Sequence, residues 1–541
     1  MFEIILHYTI FSIVIFSNGL IFQIVLLNGE KIKLNFFEQS IIGLISTGFL
    51  TLILNFFFPL NDLFIYINLI VGCIFLLFFK NQINFDYNNN EKIIILLIFI
   101  LSLVNLYGSG FSDDLHHYHG GHIVNTDNHN YIVGLNFLHH HYGYSSIWLM
   151  LHSYLNINSS LLQDIHVLNA LIFFLIISYL IIENIRYSKI SKSYLLYLIS
   201  SVFIFFFLIK YTRLKEFGLD RPGILLFCFL IYFAAKYQYL IRGNIKKANK
   251  YFFMLFLICL FVSFTKIFLL SCFLVPFFFI LKSKNFNFFY NKISLILYLI
   301  VFIYFLRNIL ISGCLVYPFE FTCLSELQWN SKEIASDLLL RTEASTKAFD
   351  KYIGPLSAAE YIKNFNWFST WFLRNGEELF NYIATTVLIS VLFILSSKNK
   401  KKIKKYSNFE IVIFLLFICN FIIFIKSPVV RYHHILFILF SLCLIIPSKK
   451  VFLKKIFIFN TILVICLSFN FGKNLKRIYE ANFYNNPYED LKKIQWYTPP
   501  VEKKLENFLY YNGWIDAHPI GNMDLKDLRH KKKFGFDIIY K

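Results

Sequence analysis

Apolar residues run through this chain in long blocks separated by short polar connections. Blocks near 2–27, 36–58, 63–79, 93–107, 167–182, 194–209, 224–235, 251–281, 293–311, 379–396, 409–425, 432–447 and 455–470 stand out. They reach or approach the roughly 20 residues that a helix needs to cross a bilayer. The 251–281 block is too long for one crossing and contains Lys266, so it reads as two short helices meeting near that residue. The count is about 12–14 membrane helices. Lipid offers no hydrogen bonds to an unpaired backbone, and the period-two alternation of a membrane barrel is absent, so the blocks are helices of a bundle. The pattern predicts an all-α polytopic membrane protein. The first 27 residues lack a basic leader and a small-residue cleavage site, and are read as the first span.

The net charge of +20 changes meaning once its placement is considered. Basic residues gather in short connections: Lys31 and Lys33, Arg186 to Lys192, Arg242 to Lys250, Lys282 and Lys284, KNKKKIKK from Lys398, and Lys449 to Lys455. That is how cytoplasmic loops are marked, and no nucleic-acid module accompanies the charge. With these loops and the linker 80–92 inside, the segments 108–166, 210–222, the turn at Lys266, 312–378, 426–431 and the tail after 470 fall outside. Three regions follow: helices added within 1–92, a core over 93–470 with external loops 108–166 and 312–378, and a small external region over 471–541. The nine cysteines include no CxxC pair. Only Cys314 and Cys323 share a loop, where an external location would permit a disulfide. No internal repeat is visible.

The polar stretch from Ser112 to Tyr144 holds Asp113 and Asp114, eight histidines and no Lys or Arg. Opposite it, on the same predicted face, stand Arg213, Lys215, Glu216, Asp220 and Arg221, then Lys266, Arg307 with Asn308, and Lys426, Arg431, His433 and His434. Ionisable groups at membrane helices are costly and point to function, although each one alone could snorkel to the interface. Three readings of the island compete. A carboxylate of Asp113/Asp114 could act as general base while a phosphate leaves, its charge met by the basic set. Imidazoles could bind a transition metal, or the two aspartates a divalent ion, though no HExxH-like motif is present. The histidines could instead cover a polar loop, which is the favoured view of His129 and of His139 to His141.

The motifs resemble those of the GT-C glycosyltransferases, multi-pass enzymes that use polyprenyl-phosphate sugars. The resemblance is to a bacterial group with Asp-x-x-x-Tyr-His, here Asp114, Tyr118 and His119. GLNFLH from Gly134, Ser145 and Ser146 follow it. Asp220 before Pro222, FTKIFLLS around Lys266, RNILISGCLVYPF from Arg307 and SPVVRY from Ser427 extend it, and a tail pattern from Trp514 to Phe536 completes it. SPVVRY has Val where an acidic residue is expected, and the tail lacks the pattern's cysteines. The resemblance implies a GT-C-like core preceded by extra helices. It also implies inverting sugar transfer, at the outer face of a bacterial inner membrane, to a lipid-linked glycan or another envelope acceptor. Asp114 would be the general base and Asp113 its partner or a metal ligand, with Tyr118 and His119 shaping the pocket. Lys266, Arg307 and Arg431 would bind the donor phosphate, with Asn308 beside them, and Asp220 would orient one of these cations or contact sugar hydroxyls. The rival readings are a transporter or flippase for a lipid-linked precursor, and a polysaccharide polymerase.

Overall fold

The computed structural model describes residues 2–27, 34–83, 85–107, 118–156, 167–188, 194–214, 217–242, 245–395, 408–446, 456–480, 501–505, 508–512, 528–533 and 536–540. Helices α1 (Phe2–Phe22), α2 (Phe36–Leu54), α3 (Asp62–Phe78) and α4 (Asn89–Tyr107) open the chain, followed by the short α5 (Gly120–Asn128) and α6 (Ile147–Tyr154). Next come α7 (Leu168–Ser188), α8 (Tyr194–Lys210), α9 (Asp220–Tyr237), α10 (Ile245–Thr265), α11 (Leu274–Ser283) and α12 (Ser294–Ser312). Two polar helices, α13 (Lys332–Thr346) and α14 (Ala358–Tyr361), precede α15 (Phe368–Leu395), α16 (Asn408–Lys426), α17 (His434–Ile445) and α18 (Ile456–Glu480). Among the described residues nine helices are long and apolar enough to cross a membrane, and four apolar helices are shorter. The protein is an all-α polytopic membrane protein.

Burial separates the centre of the bundle from its rim. The apolar window of α10 is 94% buried, whereas those of α15 and α16 are each 28% buried. A helix apolar all round is either sunk in protein or faces lipid, and here both cases occur. The N-terminal helices, read from sequence as an addition, are part of the packed core. Gly19 of α1 and Gly43 of α2 lie where the two helices cross, and a Cβ on either would fall inside the partner's backbone. Small residues permit such close approach between membrane helices, where packing has to replace the hydrophobic effect.

An ionic network ties α2 to α7 and α9 at one end of the bundle. Asn35 and Glu38 form a reciprocal capping box at the start of α2. The Glu38 carboxylate also accepts from Tyr179 (2.7 Å), Lys236 (2.9 Å) and Tyr237 (2.8 Å), and Lys236 reaches Glu183 at 2.9 Å. Nearby, Arg186 pairs with Glu91 at 2.7 Å. Pairing of this kind offsets the cost of burying charge.

Three boundaries differ from the sequence reading. The long apolar block breaks at Lys266 as expected, but α10 alone is a full 21-residue helix, and the return is a 3-10 segment followed by the short α11. Helix α15 starts eleven residues before the predicted 379, and α18 continues ten residues past 470. The tail holds two antiparallel hairpins, β1 (Val501–Leu505) with β2 (Phe508–Asn512) and β3 (Arg529–Lys533) with β4 (Phe536–Tyr540). Strand β4 docks on the loop after α5. Val133 donates to the Asp537 carbonyl and Ile539 donates to the Val133 carbonyl, both at 2.9 Å.

Candidate functional site

Three chain reversals meet at the end of the bundle opposite the Glu38 network. Helix α9 begins with Asp220, whose carboxylate suits the positive end of the helix dipole. Helix α10 stops at Thr265, and Lys266 takes an extended backbone before the 3-10 segment Ile267–Phe273. Ser427-Pro428 ends α16, and His433 Nε2 lies 2.9 Å from the Ser427 carbonyl, closing the turn that carries Arg431 and Tyr432. Lys266 is ion-paired with Asp220 and sits 3.3 Å from the centroid of the Tyr432 ring. A charge-assisted bond and a cation–π contact together fix the ammonium.

These reversals border a cavity of about 1710 Å³. Pockets for ordinary small ligands run to about 1,000 Å³, so this space is large enough for a long ligand or for two. Its polar end carries six basic side chains, Lys210, Arg213, Arg221, Lys266, Lys426 and Arg431. Three carboxylates, Asp220, Glu343 and Glu378, face the same space. Asp220 holds Lys266, and Glu343 is bound by Lys347 at 2.7 Å and Lys426 at 2.8 Å. Burial pushes Glu343 up, but the two lysines outweigh it and hold the carboxyl below its ordinary range. Lys210 ends α8 and donates to Asn381 Oδ1 at 2.8 Å over the Tyr382 ring.

The other end of the cavity is apolar. Phe256, Leu260, Phe264, Leu297, Val301 and Tyr304 line it from α10 and α12. Phe264 and Tyr304 stack at 3.6 Å. The lining continues to Leu270, Phe277, Tyr298 and Ile422, which are exposed on the outer face of the bundle. In a membrane protein that face meets lipid, so the corridor runs from a cationic end to the acyl-chain region.

Of the residues singled out from sequence, Tyr118, His119, Asp220, Lys266, Asn308 and Arg431 all line this one cavity. Asp113 and Asp114 lie outside the described residues. Arg307 belongs elsewhere. It is 1% exposed, absent from the cavity wall, and its Nη2 lies 3.4 Å from His122 Nε2, with the guanidinium over the Tyr131 ring. Burial, with Arg307 next in effect, pushes His122 down to about 3, so its imidazole is neutral and can accept from the guanidinium. Arg307 therefore lies behind this cavity rather than in its wall, and its Nε and Nη1 are buried with no hydrogen-bond partner among the described residues. It faces away because the helical turn that puts Asn308 on the cavity side rotates residue 307 by about 100°. Asn308 donates to the Leu315 carbonyl at 2.9 Å and orders the turn that follows.

Among the described histidines of the island, His139 and His141 pack against Tyr118 and each other. Tyr118 stacks on His141 at 4.7 Å, and His139 Nδ1 accepts from the His141 backbone N–H at 3.1 Å. Among the described residues no group of three or more His, Cys, Asp or Glu could hold a metal ion. Cys314 and Cys323 form a disulfide. It closes the loop whose Val316, Tyr317 and Pro318 form part of the cavity wall.

Lys210, Glu343, Glu378, Tyr382 and Tyr432 were not singled out from sequence, yet all line the cavity. Lys210 carried a readable signal, as a cation closing an apolar run on the predicted outer side. Glu378 was hidden in NWFSTWFLRNGEE, which reads as a loop but forms the start of α15.

No curated protein and no solved structure matches the chain. A family profile does match it, over residues 1–438. That stretch begins with the helices packed at Gly19 and Gly43 and ends within α17, so it includes the helices around the cavity up to that point. The chain belongs to the family described as Domain of unknown function (DUF8201).

Proposed function

We propose that this protein is a membrane glycosyltransferase that moves a sugar from a polyprenyl-phosphate donor to a lipid-linked or other envelope acceptor, with inversion, at the outer face of a bacterial inner membrane. The observation that carries this reading is the amphipathic cavity, with six cations at one end and an aromatic corridor reaching the lipid-facing surface at the other. A ligand matched to both ends is an amphiphile with an anionic head and a long apolar tail. The motif resemblance to GT-C enzymes supplies the reaction class. Lys266 and Arg431 would hold the phosphate. The acceptor oxygen would attack the anomeric carbon, its proton passing to Asp114 while the bond to the phosphate oxygen breaks. The cations would then stabilise the departing polyprenyl phosphate. Asp113 would support Asp114, alone or with a divalent ion.

The outward placement is supported by described basic residues at the opposite helix ends, among them Arg186 at the end of α7 and Lys246 and Lys247 at the start of α10. It is also supported by the Cys314–Cys323 disulfide at the cavity wall, because such bonds persist on the oxidising side. The cations stand at helix ends, which favours surface chemistry over a transport pathway through the midplane.

The test is transfer of radiolabelled sugar from polyprenyl-phosphate donors by the purified protein in nanodiscs, compared with Asp114→Asn. Loss of transfer in the variant with retained fold is expected. Transfer at the wild-type rate would remove Asp114 from the mechanism, and vectorial movement of lipid without transfer would favour a flippase.

A further inference from the structure

The cavity holds one carboxylate that the ionic architecture does not use. Asp220 is committed to Lys266, and Glu343 to Lys347 and Lys426. Among the described residues Glu378 makes no hydrogen bond and no ion pair. Arg431 and Lys210 act on it only through their fields. It stands on α15 one turn before Asn381 and Tyr382, the residues that fix Lys210. That spacing of three and four residues puts all of them on one face of the helix.

We propose that this face of α15 is the sugar subsite of the cavity, with Glu378 accepting hydrogen bonds from ring hydroxyls of the ligand; the proposal rests on the lipid-phosphate-sugar reading above. An ionised carboxylate is acceptor-only and can take two neighbouring donors at once. A phosphate offers it none and is repelled by it. An ammonium-bearing ligand is disfavoured by the six surrounding cations. A neutral polyol remains. It donates to Glu378 and accepts from Lys210 and Arg431, so an acceptor-only group beside donor-only groups reads hydroxyls in both roles.

The experiment measures binding of a polyprenyl phosphate and of its gluco-, manno- and galacto-hexosyl phosphate derivatives to the full chain in nanodiscs. Wild type is expected to prefer at least one hexosyl form over the bare phosphate. Glu378→Gln should lose about ten- to a hundredfold of that preference, the scale of a hydrogen bond to a charged group. Its affinity for the bare phosphate should be unchanged or tighter. Glu378→Ala is the second variant, and thermal unfolding without ligand checks that both keep the wild-type fold, as a side chain without internal bonds should allow. Wild-type preference retained in both variants overturns the subsite, as does a wild type that binds the bare phosphate but shows no preference. Failure of wild type to bind the bare polyprenyl phosphate overturns the lipid-phosphate reading, and the subsite with it.

Discussion

Lys266 and Asp220, 46 residues apart in the chain, are ion-paired between the first turn of α9 and the residue that follows α10, in the wall of the cationic cavity. The pair keeps the ammonium in place without ligand, at the cost of competing with any phosphate that arrives. Lys266→Met should weaken polyprenyl-phosphate binding at least tenfold, because the ammonium is lost. Asp220→Asn should leave that binding equal or tighter, because the competitor is gone. In unfolding measurements the double variant should show a coupling of about 1 kcal/mol, as expected for a partly exposed pair. Equal losses of binding in both single variants would contradict this order.

Arg307 separates fold from function. Arg307→Ala should lower stability by roughly 3 kcal/mol, since it empties a buried site beside His122 and Tyr131. In the folded fraction, polyprenyl-phosphate affinity should stay at the wild-type level. Denaturation paired with ligand titration distinguishes this from a direct phosphate contact, for which affinity would fall and stability would hold.

Asp127, on α5, is 3% exposed, and burial, reinforced by the Asp62 carboxylate, pushes it up to about 7. Its folded value lies above the ordinary one, so the folded state binds the extra proton between about pH 4 and 7. Stability supplied by the protonated form is present at low pH and lost as pH rises through 7. His122 works in the opposite sense, because its depressed value costs stability as pH falls below its ordinary range. The difference between Asp127→Asn and wild type isolates the first effect. It should be small at pH 4 and grow to on the order of 4 kcal/mol by pH 8, with the variant more stable. Thermal melts across that range provide the measurement.

The Cys314–Cys323 bond closes a loop of nine residues in sequence separation. Removing it with Cys314→Ser and Cys323→Ser should cost roughly 2–3 kcal/mol on the chain-entropy account. The loss should concentrate in the wall formed by Tyr317 and Pro318. In intact cells, membrane-impermeant maleimide should label these thiols only after an impermeant reductant is added, with the double-serine variant as blank. Labelling without reductant would place the loop elsewhere or leave the thiols unpaired.

Apolar block length carried most of the fold. Each predicted span has a helix at its position, and the break at Lys266 was visible because a lone cation inside an apolar run is costly enough to demand a chain reversal. The gathering of Asp220, Lys266 and Arg431 was legible because alternating crossings return helix ends to one face. Which way a side chain turns within a helix end was not legible. Arg307 and Asn308 are neighbours in sequence, yet one is sealed against His122 and the other lines the cavity. Nor was the start of α15 visible, because its first three turns are amphipathic and mix Trp, Arg, Asn and Glu. The docking of β4 on Val133 was equally hidden, since backbone bonding between distant segments leaves no mark on composition.

The Glu38–Lys236 contact spans 198 residues of chain. Synthesis proceeds from the N-terminus, so α2 reaches the bilayer long before its countercharge on α9 exists. Until then the early helices carry a carboxylate with no lysine to meet it. The helices α1 and α2 can pack at Gly19 and Gly43 as soon as both are made, but the Glu38 network closes only when α9 arrives. Chains truncated before α9 should be poor substrates for stable integration and good ones for quality-control proteolysis.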